Sequence, residues 1–179
     1  MSNYFLNKYK ALRLIVNYQL LNVSRGFTLV EVIVVMGVMV VLMGLATINL
    51  LNAQHKASLS STIDIFMADL KEQQVKAMVG DTEGRSAVDA YGMHFATTGY
   101  TLFHGPNYKS GDSTNYVPSF PTTIQISSAI PTAQIVFASG SGEFANFAAG
   151  TNTVTFTDTT TSEARVVTVN RMGVVVGIN

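Results

Sequence analysis

The chain contains no cysteine, which excludes disulfides, thiolate metal sites and cysteine nucleophiles from the start. The redox compartment stays open, because an oxidising compartment permits disulfides without requiring them. Charge is also scarce: 12% of residues are charged and 47% are hydrophobic, against a charged share of about a quarter in ordinary soluble domains. Solvation must rest on Ser, Thr, Asn and Gly, which suits an extracytoplasmic surface. The formal net charge of zero hides a division at Gly26. Lys8, Lys10, Arg13 and Arg25 precede it with no acid among them, leaving seven bases against eleven acids beyond it. No Lys/Arg cluster follows residue 26, so the basic patch that phosphate-backbone binders carry is missing, and nucleic acid is not an expected partner.

At 179 residues the chain has room for one ordinary domain and an appended segment. The segment is conspicuous. From Val32 to Leu51 the sequence VIVVMGVMVVLMGLATINLL carries no charge. At about 1.5 Å per residue such a run crosses roughly the 30 Å hydrocarbon core of a bilayer. A core helix of this length with no polar face would not suit a small domain, so a transmembrane helix is expected. All the positive charge ahead of the run places the first 26 residues in the cytoplasm and the rest outside.

Glu31 sits at the entrance to this run. A carboxylate at the membrane end of an apolar helix is expensive and calls for a partner, although the helix dipole eases the charge near the N-terminus. The sequence around it, Ser24-Arg25-Gly26-Phe27-Thr28-Leu29-Val30-Glu31, precedes the apolar stretch, whereas a secretory cleavage site follows one. With this order and the string GFTLVE, the chain resembles the type IV prepilin family. The resemblance implies cleavage between Gly26 and Phe27 by a prepilin peptidase, N-methylation of Phe27, and a role for Glu31 in assembly, pairing with the Phe27 amine of a neighbouring subunit. The chain departs from the family in its long leader of about 26 residues. It also has Ile48 where major pilins often carry proline, which leaves Gly37 and Gly44 as the places for close packing or local melting.

Beyond the apolar run, Leu59, Ile63, Phe66 and Leu70 recur at three- to four-residue intervals and mark one face of a helix. Glu72 and Lys76 form a favourable pair four apart, and Gly80 is a stop signal. One helix from Thr28 to Val79 is expected. From Tyr91 the pattern turns to short β segments: Tyr91 to Phe95, Tyr100 to His104, Thr123 to Ile126, Gln134 to Ala138, Thr153 to Thr157, Arg165 to Asn170 and Val174 to Ile178. The first two predict a hairpin around Thr97-Thr98-Gly99, and Asn170 to Gly173 predicts a second tight turn. Pro106 to Pro121 reads as a long surface loop.

This order, with YGMHF, YTLFHG, IVFASGSG and ARVVTVNRMGVV as anchors, is similar to minor pseudopilins of the general secretion pathway protein H type and minor pilins of the fimbrial T type. The implied fold class is α+β: a long N-terminal transmembrane helix packed on an antiparallel β-sheet or β-sandwich domain. The expected division is a cytoplasmic leader at 1–26, removed on maturation, and a membrane and filament-core helix at 27–51. An amphipathic continuation at 52–80 and an extracytoplasmic β-rich domain at 81–179 follow. The expected partners are other pilins or pseudopilins in a helical filament, the prepilin peptidase and methyltransferase, an inner-membrane assembly platform and membrane lipid. Fimbrial T-type proteins implicated in DNA uptake carry arginines near the C-terminal turn, where only Arg165 and Arg171 stand here.

Catalytic chemistry finds little support. His94 and His104 fall where the first hairpin would bring them near one another, but no carboxylate stands in register to complete a metal site, and His55 is remote. Ser139-Gly140-Ser141-Gly142 lacks the lysine and following helix of a phosphate loop and reads as a turn. No cofactor, metal or enzymatic activity is expected. The functional expectation is a minor pseudopilin of a type II secretion pseudopilus, with a minor type IV pilin as the alternative.

Overall fold

The computed structural model describes residues 26–179, so the leader bases Lys8, Lys10, Arg13 and Arg25 lie outside the described residues. The described residues divide into two compact units, one ending at Thr47 and the other spanning Ile48–Asn179. One helix, α1, runs from Leu29 to Val79, one residue inside its expected start. Thr28 caps it: the Glu31 amide donates to Thr28 Oγ1 at 3.2 Å, and Val32 N–H donates to the Thr28 carbonyl. Gly80 ends it with φ +66, and Asp81 N–H reaches back to the Lys76 carbonyl at 3.0 Å. This is a Schellman closure, in which a residue with a side chain would be strained.

In the first unit, Leu29–Thr47 is apolar with no buried residue, at a mean hydropathy of 2.7. Its 19 residues extend about 28 Å, close to a bilayer's hydrocarbon thickness. In the second unit the helix acquires a seam. Leu59, Ile63, Phe66, Leu70, Gln73 and Ala77 are all buried, spaced alternately by four and three so that they stay on one face.

Seven strands follow, all antiparallel in their pairings: β1 (Tyr91–Ala96), β2 (Gly99–His104), β3 (Ile124–Ser128), β4 (Gln134–Phe137), β5 (Thr153–Asp158), β6 (Ala164–Val169) and β7 (Val175–Ile178). They form a three-stranded sheet, β2-β1-β4, and a four-stranded sheet, β3-β5-β6-β7. Strand β5 shows why: its burial alternates, with Val154, Phe156 and Asp158 inside and the threonines partly out, as period-two geometry requires. Phe66 joins the layers. Its ring lies 6.0 Å from Phe95 and 5.7 Å from Tyr100 of the first sheet, and 5.1 Å from Phe156 of the second. Tilted and edge-on pairs of this kind add to the burial of each ring.

The two expected turns form. Ala96 pairs with Gly99 across Thr97-Thr98. At the other, Gly173 N–H donates to Asn170 O and Val174 N–H to Asn170 Oδ1. Gly173 takes φ +72, and an added Cβ would stand 2.6 Å from Phe137 and 2.7 Å from the Gln74 amide nitrogen. Ser139–Gly142 is a turn, as expected. It closes with Gly142 N–H on Ala138 O and leads to a bridge between Phe144 and Phe137. The 106–121 segment is stitched to β2, where Leu102 and Tyr116 exchange backbone hydrogen bonds of 2.8 and 2.9 Å.

Candidate functional site

The residues singled out by the sequence meet at the start of α1. Gly26, Phe27 and Thr28 form a non-helical approach, with Gly26 and Phe27 exposed. Phe27 is 80% exposed, and a Cβ added at Gly26 would meet nothing within 4 Å. The Gly26–Phe27 peptide bond therefore lies in open chain immediately before the first helical turn, where its carbonyl is not consumed by a helix ladder. Two residues on, Thr28 fixes the helix start.

Glu31 occupies the third helical position, where Thr28-x-x-Glu31 is a capping-box signature. That signature is legible in the sequence and supplies a local reason for an acid there. The structure uses half of it: the Glu31 amide is bound by Thr28 Oγ1. The Glu31 carboxylate has no hydrogen bond or ion pair among the described residues. A carboxylate at the positive end of a helix dipole is favourable, and an amine at the same end is not.

The apolar face behind this cluster is continuous. Val38, Met39, Val40, Val41, Leu42 and Met43 are each more than half exposed. Added Cβ atoms at Gly37 and Gly44 meet nothing. Thr47 returns its hydroxyl to the Met43 carbonyl at 2.8 Å, hiding a polar group inside the helix as such residues do in apolar surroundings.

The histidines are arranged differently from the sequence expectation. Tyr91, not His94, stands opposite His104, and His94 pairs with Thr101. Because His94 is three residues from Tyr91, it projects from the opposite face of the sheet. Each ring has its own aromatic neighbour: His94 stacks on Tyr108 at 4.0 Å and His104 meets Tyr91 edge-on at 5.0 Å. Burial holds the His94 pKa below its ordinary value. No group of three metal-ligating side chains occurs among the described residues.

His55 has a role that sequence reasoning missed. Its Nδ1 lies 3.1 Å from Asp158 Oδ2, tying α1 to the end of β5. Burial pushes the Asp158 carboxyl up. The Thr160 and Thr161 amides and His55 outweigh it, so its pKa lies below the usual value. Gln74 makes a second tie, donating to the carbonyls of Gly142 at 2.9 Å and Met172 at 2.6 Å while accepting from Lys71. Neither has a local sequence signal. At the C-terminal turn Arg165 pairs with Glu163 at 2.9 Å and Arg171 with Glu143 at 3.8 Å, so both arginines already have acidic neighbours.

Comparison with known proteins gives one match. Residues 21–47 match the prokaryotic N-terminal methylation motif, a span that takes in the cleavage candidates, Glu31 and most of the apolar run. The match supports a type IV prepilin-like family. No curated protein and no solved structure matches the chain.

Proposed function

We propose that this chain is a minor pseudopilin, a non-catalytic subunit of a type II secretion pseudopilus. In this reading it is cut between Gly26 and Phe27, methylated on Phe27, held in the inner membrane by the apolar part of α1 and then drawn into a helical filament. The observation that carries it is the methylation motif at 21–47 set directly on an exposed apolar helix long enough to cross a membrane. An assembling helix must exchange lipid contacts for neighbouring helices, and a fully exposed apolar surface permits that exchange without breaking any contact in the β-rich unit. Glu31 supplies the polar term, pairing with the Phe27 amine of the next subunit to set register. The 27–51 segment is then the filament core, and the β-rich unit faces outward on the extracytoplasmic side.

The first test is N-terminal peptide mass spectrometry on the protein from its native host, with and without prepilin peptidase. The expected mature chain begins at methylated Phe27 and disappears without the peptidase. An uncut leader in both strains overturns the reading. Deletion of the gene then separates the two machines: loss of protein secretion with normal piliation supports the pseudopilus, and the reverse supports a minor pilin.

A further inference from the structure

The seam of α1 is interrupted once. Leu59, Ile63, Phe66, Leu70 and Ala77 are apolar, but the position between Leu70 and Ala77 is Gln73, only 3% exposed. Its Oε1 is buried without a hydrogen-bond partner among the described residues, and so is Nε2 of His104. Its neighbour Gln74, equally buried, is fully engaged by Lys71, Gly142 and Met172. A buried, unpaired polar atom costs about 1–3 kcal/mol, and such orphans in native proteins call for an explanation. An apolar residue at 73 would continue the seam without that cost.

The side chains that carry both orphans line one cleft of about 400 Å³ between α1 and the end of β2, within the size range of small-ligand sites. Its charged lining is Asp69, Glu72 and Glu83 against Lys76, a net negative balance. Lys76 is shared by Glu72 at 2.7 Å and Glu83 at 3.0 Å, and Asp69 accepts from Tyr100. Each carboxylate keeps lone pairs to spare. At the mouth stands Tyr116, 64% exposed.

These features select a ligand. An anion would add to the negative charge, and an apolar molecule would leave both orphans unpaired. A compact metal ion finds no cluster of three ligands among the described residues. A planar cation with several N–H donors meets every requirement. It can donate to Gln73 Oε1, to a free carboxylate oxygen and to His104 Nε2 in the tautomer protonated on Nδ1, and it can lie flat on Tyr116. We propose that this cleft binds a guanidinium group, from a free arginine-like cation or from an arginine side chain of a neighbouring subunit. A free cation as the source does not depend on the filament reading, a neighbouring subunit as the source rests on it, and the test of the cleft itself involves no filament.

The experiment uses the full-length chain in detergent micelles, isotope-labelled and titrated by NMR with arginine methylamide, n-butylammonium and acetate. Saturable shifts at the Gln73 side-chain amide and the His104 ring are expected with the guanidinium probe. The response should be about tenfold weaker for butylammonium, a difference of roughly 1.4 kcal/mol, and absent for acetate. Gln73→Met should abolish the response without lowering the melting temperature. Tyr116→Ala, at an exposed position that leaves the core intact, should weaken it severalfold. A micromolar dissociation constant identifies a free cation as the ligand. A millimolar one identifies a neighbour's side chain, since that is the effective concentration a tethered group supplies. A response that does not saturate, or one unaltered by both substitutions, overturns the proposal.

Discussion

The two stretches of α1 follow the same backbone rule and meet opposite surroundings. From Leu29 to Thr47 no residue is buried, yet almost every side chain is apolar. From Leu59 to Ala77 one seam is fully buried while Lys71, Glu72 and Lys76 keep contact with solvent on the flanks. A soluble helix shows a stripe because water takes one side of it, whereas a helix apolar all round is matched to a medium with no water on any side. The contrast assigns separate tasks to a single element: the first stretch is interchangeable surface, and the second is committed core.

The largest expected effect falls on the committed side. Phe66→Ala removes the ring that joins both sheets and should destabilise the β-rich unit by about 3–5 kcal/mol, read as a lower urea midpoint in near-ultraviolet circular dichroism. Met39→Ala, in the exposed stretch, should leave that midpoint unchanged; equal shifts would erase the distinction. On the interchangeable side, Glu31→Ala should leave leader cleavage intact but block entry into filaments. Loss of one partner of a pair in a low-dielectric core costs about 3–5 kcal/mol, and normal incorporation of the variant in sheared filaments would refute the pairing. Met39→Arg adds a charge at mid-span at about 2.5–3.5 kcal/mol, so the carbonate-resistant membrane fraction should fall while the β-rich unit still melts normally. Gly173→Ala combines a strained positive φ with overlap on Phe137 and Gln74, and should cost about 1–3 kcal/mol in the same urea assay.

Acid gives the smallest and most local effect. His94 and Asp158 both have folded pKa values below their unfolded ones, so the unfolded chain holds their protons more tightly and stability is lost as pH falls. The His94 contribution begins to fade below 6.5 and that of Asp158 below 3.8. Asp158→Asn should flatten the lower limb of a stability–pH profile, and His94→Gln the upper one. A profile unchanged in both variants would place the acid sensitivity elsewhere.

Much of this architecture was legible because its signals are local. Apolar spacing located the helix, and Gly80 marked its end. Alternation in segments such as Thr153–Thr157 located all seven strands to within one or two residues at most ends, and Gly173 located the last turn. The motif at 21–47 was legible too, since its signal is contiguous in sequence. What escaped depends on register and distance. Whether His94 or Tyr91 faces His104 is decided by hairpin register: His94 would stand there only after a shift of three residues, and any odd shift moves a side chain to the other face. The His55–Asp158 contact joins residues 103 apart, and no periodicity announces it. Gln73 and Gln74 look alike in sequence, and only the fold makes one a clamp and the other an orphan.

The Gln74 clamp also has a temporal consequence. One of its two acceptors, the Met172 carbonyl, lies 98 positions further along the chain, in the turn before the last strand. The helix is complete early in synthesis, but its docking cannot be finished until that final turn exists. Non-local closure of this kind slows folding and leaves partly formed sheet edges exposed in the meantime. The docking of the α1 seam must therefore wait for a turn made 98 positions later, which locks a helix formed long before it.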